Sequence, residues 1–218
     1  RSDGAPYVAR DMQMLEIFAR YTSISIENLL DAQRASEMAR RDDLTGLYND
    51  RFFHHRLSED LIRADVTRST VALLFLDIDH FKAVNDTHGH LAGSQVLKEF
   101  GYLLATVVGA EGATLARYGG DEFVIILPDH DLEMACGVAT AIQKTLAETR
   151  FLQGTFSWSE GPVYWRRPLT ASIGVAVYPH HLPRQGTTDM KKNLLLRAAD
   201  LAMYRGKDDG KDQIRIAD

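Results

Sequence analysis

Val71-Ala72-Leu73-Leu74-Phe75-Leu76 is an unbroken apolar run, and it ends abruptly in acid at Asp77-Ile78-Asp79. A run of that length without polar alternation predicts a strand buried on both faces, since a strand with one wet face shows a period of two. Such a strand lies inside a sheet with helices above and below it. The rest of the chain supplies both. Upstream, the turn Leu44-Thr45-Gly46-Leu47 precedes residues 49–64, where Phe52, Phe53, Leu57 and Leu61 fall at helical spacing. Downstream, helices are predicted over 91–108, 132–149 and 193–206, and strands over 114–118, 122–127, 169–177 and 213–216. The strands 114–118 and 122–127 flank Gly119-Gly120, a strand-turn-strand unit. Residues 153–167 hold Phe156, Trp158, Tyr164 and Trp165 around Gly161-Pro162, a hairpin excursion whose aromatics are expected to be structural. Helices and strands alternate without internal repeats, which predicts one α/β sandwich, an α+β arrangement of a central sheet with helices packed on it.

Composition narrows the function. Of 218 residues, 45% are apolar and 25% charged, enough for a real core and too apolar for a disordered chain. The net charge of −5 excludes a generally basic nucleic-acid binder. No apolar run approaches the roughly 20 residues that span a bilayer, so no membrane partner is expected. Cys136 stands alone, which excludes an intramolecular disulfide framework and predicts a reducing, cytoplasmic home. The chain begins Arg1-Ser2-Asp3-Gly4 without a signal-peptide pattern and is expected to be a piece of a longer protein. Met12, Leu15, Ala19, Thr22, Ile26 and Leu29 follow a 3-4-3-4-3 spacing, the seam of a partner-seeking helix that points to a homodimer. The pattern thins into Arg40-Arg41-Asp42-Asp43, giving an N-terminal helix over 1–41 and a main domain over 42–218.

The acids carry the chemistry. Asp77 sits where the buried strand emerges and Asp121 opens the strand after the two-glycine turn, so both can lie at one end of the sheet. Neighbouring strands run about 4.8 Å apart, close enough for two carboxylates to share one hard cation, which favours magnesium. Phe81-Lys82-Ala83-Val84-Asn85-Asp86 and Gly89-His90 follow at once, bringing a lysine, an amide and flexible backbone beside that cation. Asp200, Tyr204, Lys207 and Lys211 recur at helical or near-helical spacing, and the two lysines offer charge to phosphates. The set suits a nucleoside triphosphate.

Tyr118-Gly119-Gly120-Asp121-Glu122-Phe123 resembles the signature of the GGDEF family, the bacterial diguanylate cyclases. The likeness covers roughly 42–218 and includes Asp43-Leu44-Thr45-Gly46-Leu47-Tyr48-Asn49, Leu76-Asp77-Ile78-Asp79-His80-Phe81-Lys82, Asn85-Asp86-Thr87-His88-Gly89-His90, Thr170-Ala171-Ser172-Ile173-Gly174-Val175-Ala176 and Ala199-Asp200-Leu201-Ala202-Met203-Tyr204. It implies a mostly antiparallel sheet related to nucleotidyl cyclases and polymerase palms, and a reaction joining two nucleoside triphosphates into a cyclic dinucleotide with release of pyrophosphate. It also implies that Asp77, the carbonyl of Ile78 and Asp121 hold Mg2+, with Mn2+ an alternative. Asp121 would accept the proton of the ribose 3′-hydroxyl, Glu122 would assist, and Lys82 would stabilise transition-state charge. Phe81, Asn85, His90, Ser94, Lys207 and Lys211 would bind substrate, the lysines by gripping the triphosphate. The family usually has arginine at Lys211, which removes bidentate contact while keeping the charge. Because each domain has one site and the product needs two nucleotides, two domains must face across a twofold axis. The stretch from Phe18 to Asn28 resembles the last helix of a GAF sensor domain running into a signalling coiled coil.

Two departures refine the expectation. The residue that usually reads the guanine edge with Asn85 is aspartate, and here it is Ser94. Guanine presents two donors, which suit a carboxylate; adenine N1 is an acceptor, which a carboxylate repels and a hydroxyl tolerates. The chain thus resembles the hybrid, promiscuous subgroup that makes 3′,3′-cyclic GMP-AMP from ATP and GTP alongside cyclic di-GMP. The second departure is that the Arg-x-x-Asp of product-inhibited members is replaced by Ala110 and Ala113, predicting no feedback there. A strictly GTP-specific cyclase and a silent, nucleotide-binding adaptor are the alternatives.

Overall fold

The computed structural model describes the backbone of residues 9–109 and 111–218, and the side chains of 11–31, 39–109 and 111–218. The chain divides into two compact units, Arg1–Arg40 and Arg41–Asp218. Residues 1–8 of the predicted N-terminal region lie outside the described residues. The first unit carries helix α1, Ala9–Met38. Along it Met12, Leu15, Ile26 and Leu29 are all more than half exposed, so the apolar seam has no cover within its own helix. Arg41 opens the second unit: it forms a β-bridge with Tyr48, and its guanidinium lies 4.3 Å from the Tyr48 ring centroid.

Among the described residues of the second unit, the strands β1 (Tyr48–Asn49), β2 (Val71–Ile78), β3 (Thr114–Gly119), β4 (Glu122–Pro128), β7 (Ala171–Tyr178) and β8 (Ile214–Ile216) form one sheet in the order β1-β3-β4-β2-β7-β8. The pairs β2–β4, β2–β7 and β3–β4 are antiparallel, while the edge pairs β1–β3 and β7–β8 are parallel. The fold is therefore α/β with a mostly antiparallel sheet. β5 (Gln153–Gly154) and β6 (Val163–Tyr164) pair as a separate hairpin.

Strand β2 is central and buried along its whole length, as an unbroken apolar run requires. Its alternate residues enter different cores. Val71, Leu73 and Phe75 pack with Phe53, Leu57 and Leu61 of α2 (Asp50–Thr67) and with Leu195, Ala199 and Met203 of α6 (Thr188–Asp208). Ala72, Leu74, Leu76 and Ile78 pack with Val96, Phe100 and Leu104 of α4 (His90–Val107) and with Ala139 and Ile142 of α5 (Leu132–Glu148). Helix α6 approaches β7 so closely at Gly174 that a Cβ there would overlap the Ala199 carbonyl oxygen and the Met203 nitrogen.

The structure departs from the sequence expectations at several elements. Phe81–His88, to which the sequence reading assigned no element, is a helix, α3, entered through His80 at φ +60° and left through Gly89 at φ +82°. It has only two turns, too short to show a period, but Val84 is fully buried beneath it. Helix α6 begins at Thr188 rather than 193, because the Thr187 hydroxyl caps it by accepting the Met190 N–H. Strand β2 runs through Ile78, so Asp77 lies inside the strand. Of the hairpin aromatics, Phe156 and Trp158 stack at 5.1 Å and Trp165 is buried, but Tyr164 is 53% exposed and faces water.

Candidate functional site

The acidic end of the sheet is built by register. Asp77 pairs with Glu122 of β4 on one side and Ser172 of β7 on the other. The Ile78 N–H donates to the Asp121 carbonyl oxygen at 3.3 Å, which holds the Gly119-Gly120 turn against the end of β2. A register shift between Arg117 and Gly119, with Gly120 at φ +51°, bends that turn tightly. Arg117 then fixes it: its guanidinium donates to the Gly120 carbonyl at 2.7 and 3.0 Å and ion-pairs Asp42 at 3.3 Å. Asp121 thus sits in the turn itself, one residue before β4, rather than opening the strand as the sequence suggests. Lys207, in the last turn of α6, places its Nζ 2.6 Å from Asp77 Oδ2.

Burial and like charge shape this cluster. Asp77 is 5% exposed, and its carboxyl is pushed up to about 6 by burial, partly opposed by Lys207, with Asp121 and Glu122 adding repulsion. Burial also raises Glu122, helped by the charges of Asp200 and Asp121. Asp200 is raised by burial, and Lys207 opposes it. Glu122 and Asp200 line, with Tyr118, Asn193 and Arg197, a cavity of about 280 Å³ between the sheet and α6.

Among the described residues, no three His, Cys, Asp or Glu side chains already form a closed metal cage. The donor chemistry nevertheless fits a hard divalent cation: all-oxygen, anionic, partly desolvated, and mutually repelling, with Lys207 as the cation against Asp77.

The predicted substrate residues divide between two places. Phe81, Lys82 and Asn85 stand on α3, and His90 and Ser94 on the first turns of α4. The two helices meet at Gly93: a Cβ there would overlap the Asn85 carboxamide and stand 3.1 Å from the Phe81 ring. Asn85 and Ser94 are half-buried, whereas Lys82 and His90 are exposed. Lys207 lies against Asp77. Lys211 lies beyond α6 in a turn at φ +67°, followed by Asp212 at φ +50°. Ala110 lies outside the described residues, and Ala113 is packed against the core beside β3.

Sequence reading assigned no role to Asp79, which is 2% exposed and fully engaged. It accepts hydrogen bonds from the Thr170 hydroxyl (2.7 Å), the Ser172 hydroxyl (2.8 Å) and the Asp212 N–H (2.9 Å). The available signal was the pair Thr170 and Ser172, two polar side chains two residues apart at the start of an otherwise apolar strand. Gly93 was also passed over, because close helix approach leaves no trace in a single sequence beyond the glycine itself.

A family profile described as "Diguanylate cyclase, GGDEF domain" matches residues 39–213. The response regulator PleD of Caulobacter vibrioides is 34% identical over 195 residues, covering 89% of this chain and 39% of PleD. Diguanylate cyclase A of Treponema denticola is 30% identical over 210 residues, covering 95% of this chain and 51% of that protein. The chain thus spans about two fifths to one half of the length of these relatives. Among solved structures, the coiled coil and GGDEF domain of DgcB from Caulobacter crescentus, in complex with c-di-GMP, superposes with a TM-score of 0.76 at 26% identity, covering 93% of this chain and 99% of that one.

Proposed function

Because the chain belongs to the GGDEF family of diguanylate cyclase domains, we propose that it is a dinucleotide cyclase that condenses two nucleoside triphosphates, accepting ATP beside GTP. The products are 3′,3′-cyclic GMP-AMP and cyclic di-GMP, with pyrophosphate released. The single observation that carries the reading is the convergence of Asp77, Asp121 and Glu122 at one sheet end, with Lys207 against Asp77.

In this reading Asp77, Asp121 and the Ile78 carbonyl hold Mg2+ or Mn2+. When bound, such ions lower the pKa of a ribose hydroxyl and neutralise charge on a leaving pyrophosphate. The chain's own groups do the rest. Asp121 takes the 3′-hydroxyl proton, Glu122 supports it, Lys82 stabilises charge on the phosphates in the transition state, and Lys207 and Lys211 grip the triphosphate. Asn85 and Ser94, on the two helices closed by Gly93, inspect the purine edge, with Phe81 and His90 beside them. The Ser94 hydroxyl either donates or accepts, which removes the penalty against adenine.

A facing pair of domains completes the reaction, and the exposed α1 seam supports a coiled-coil homodimer, ending a GAF-like sensor upstream. The similar DgcB structure likewise comprises a coiled coil and a GGDEF domain. Among the described residues no helix is long and apolar enough to cross a membrane.

Incubation with Mg2+ and equimolar ATP and GTP, followed by chromatography and mass spectrometry, tests the proposal. Mixed cyclic GMP-AMP is expected, absent for Asp121→Ala. Cyclic di-GMP alone would restore the strictly GTP-specific reading, which the diguanylate cyclases among the relatives favour. No cyclic product from the parent would leave the adaptor reading.

A further inference from the structure

We infer that Asp79 is a positioning residue: it pins the turn carrying Lys211 to the end of the strand carrying Asp77, and so sets where the triphosphate is gripped. The inference rests on the proposed function, in which Lys207 and Lys211 bind phosphate.

The turn after α6 does not hold itself by local preference. Lys211 and Asp212 are consecutive non-glycine residues in the left-handed region, each costing on the order of 1 kcal/mol or more, so surrounding contacts must impose the conformation. Those contacts come from outside the turn as well as within it. The Lys211 N–H closes back on the Gly206 carbonyl at 3.0 Å. The Asp212 N–H donates to Asp79 Oδ2 at 2.9 Å. From the opposite side, the Gln143 amide of α5 donates to the Asp212 carbonyl at 2.7 Å and to its carboxylate at 2.9 Å.

Asp79 is built for this one purpose. Its Oδ1 takes the Ser172 hydroxyl and its Oδ2 shares the Thr170 hydroxyl and the Asp212 amide, so its carboxylate is oriented by the start of β7 and the residue before it as well as by the turn. Its own N–H donates to the Thr170 carbonyl at 2.9 Å, continuing the β2–β7 ladder past the strand end. Asp77 and Asp79 therefore leave the same strand end with different tasks. One meets Lys207 and the other anchors the backbone next to Lys211. A buried carboxylate accepting a backbone N–H is a strong, directional anchor. An asparagine could replace it, because its oxygen can still accept the Asp212 N–H while its NH2 donates to a reversed Ser172 hydroxyl; alanine cannot.

The test is a double-mutant cycle on nucleotide turnover with this chain. Asp79→Ala is expected to raise KM for GTP about tenfold to a hundredfold, the scale of an ångström-level misplacement, with a smaller fall in kcat. Asp79→Asn is expected to stay within about threefold of the parent. Asp79→Ala combined with Lys211→Ala should be no worse than Lys211→Ala alone, because both remove the same grip. Additive losses, or a loss in kcat alone, would overturn the inference. If Lys211→Ala itself has no effect, it is the proposed phosphate grip that fails instead. Amide hydrogen exchange of the parent keeps the test open whether or not Asp79→Ala folds: the Asp212 N–H is expected to be protected well above that of its exposed neighbour Gly210, and free exchange would overturn the anchor.

Discussion

Ser94 carries the narrowest claim about chemistry. Exchanging a hydroxyl for a carboxylate at this place restores a charge-assisted contact to guanine, worth on the order of 1.5–3 kcal/mol. On the proposed function, Ser94→Asp should shift the product from cyclic GMP-AMP toward cyclic di-GMP by about tenfold or more, read by chromatography at equimolar ATP and GTP. Gly93, the neighbouring residue, has a steric role that does not depend on hydrogen-bonding type. A methyl group there would displace the Asn85 carboxamide and press on Phe81. Gly93→Ala is therefore expected to raise KM for both nucleotides several-fold while leaving the melting temperature within a few degrees of the parent. An unchanged KM would mean that Asn85 does not touch the base.

Among the elements, α6 is the one on which most of the site depends, because it delivers Lys207 and Asp200 and leads into the Lys211 turn. Its seat on β7 is backbone on backbone at Gly174, where the obstructing atoms cannot rotate away. Gly174→Ala should cost about 1–3 kcal/mol, a fall of roughly 3–10 °C in Tm, measured by thermal denaturation.

The same helix is tied to α2 and β7 by charge: Lys191 lies 2.6 Å from Asp65, which also accepts a hydrogen bond from the Tyr178 hydroxyl. Burial pushes the Asp65 carboxyl up, but the hydrogen bonds from Lys191 and Tyr178 and the charges of Lys191 and Arg184 outweigh it, and the net shift is downward. A carboxylate with a depressed folded value adds stability that is complete above its unfolded value, about 3.9, and fades as pH falls through the lower folded value. Asp65→Asn should therefore lower Tm near pH 6 and converge on the parent only as pH falls through the depressed folded value of Asp65.

The elements themselves were largely legible because their signals are local. The run 71–76 predicted β2, and the two-glycine turn predicted β3 and β4. Helix α3 and the first turn of α6 were not, since one is too short to show periodicity and the other depends on the Thr187 cap. Within the candidate site, Asp77, Asp121 and Lys207 stood out as charged residues at element ends. Asp79 did not, because its meaning lies in Thr170, Ser172 and Asp212, which sequence separation hides.

For the whole molecule, the reading requires two copies. The α1 seam exposes Met12, Leu15, Ile26 and Leu29 along one helix, apolar surface that a second copy would cover. Replacing Leu15 and Ile26 together by glutamate should yield a monomer by light scattering, with specific activity that falls at low protein concentration and recovers as concentration rises. A dimer that survives the double substitution would place the contact elsewhere.

The most direct test of the central claim is a crystal structure of this chain with Mn2+ and a non-hydrolysable GTP analogue, read by anomalous scattering. The account predicts manganese on the carboxylates of Asp77 and Asp121, with the purine between Asn85 and Ser94. Manganese away from those acids, or a base seated far from Ser94, would contradict it.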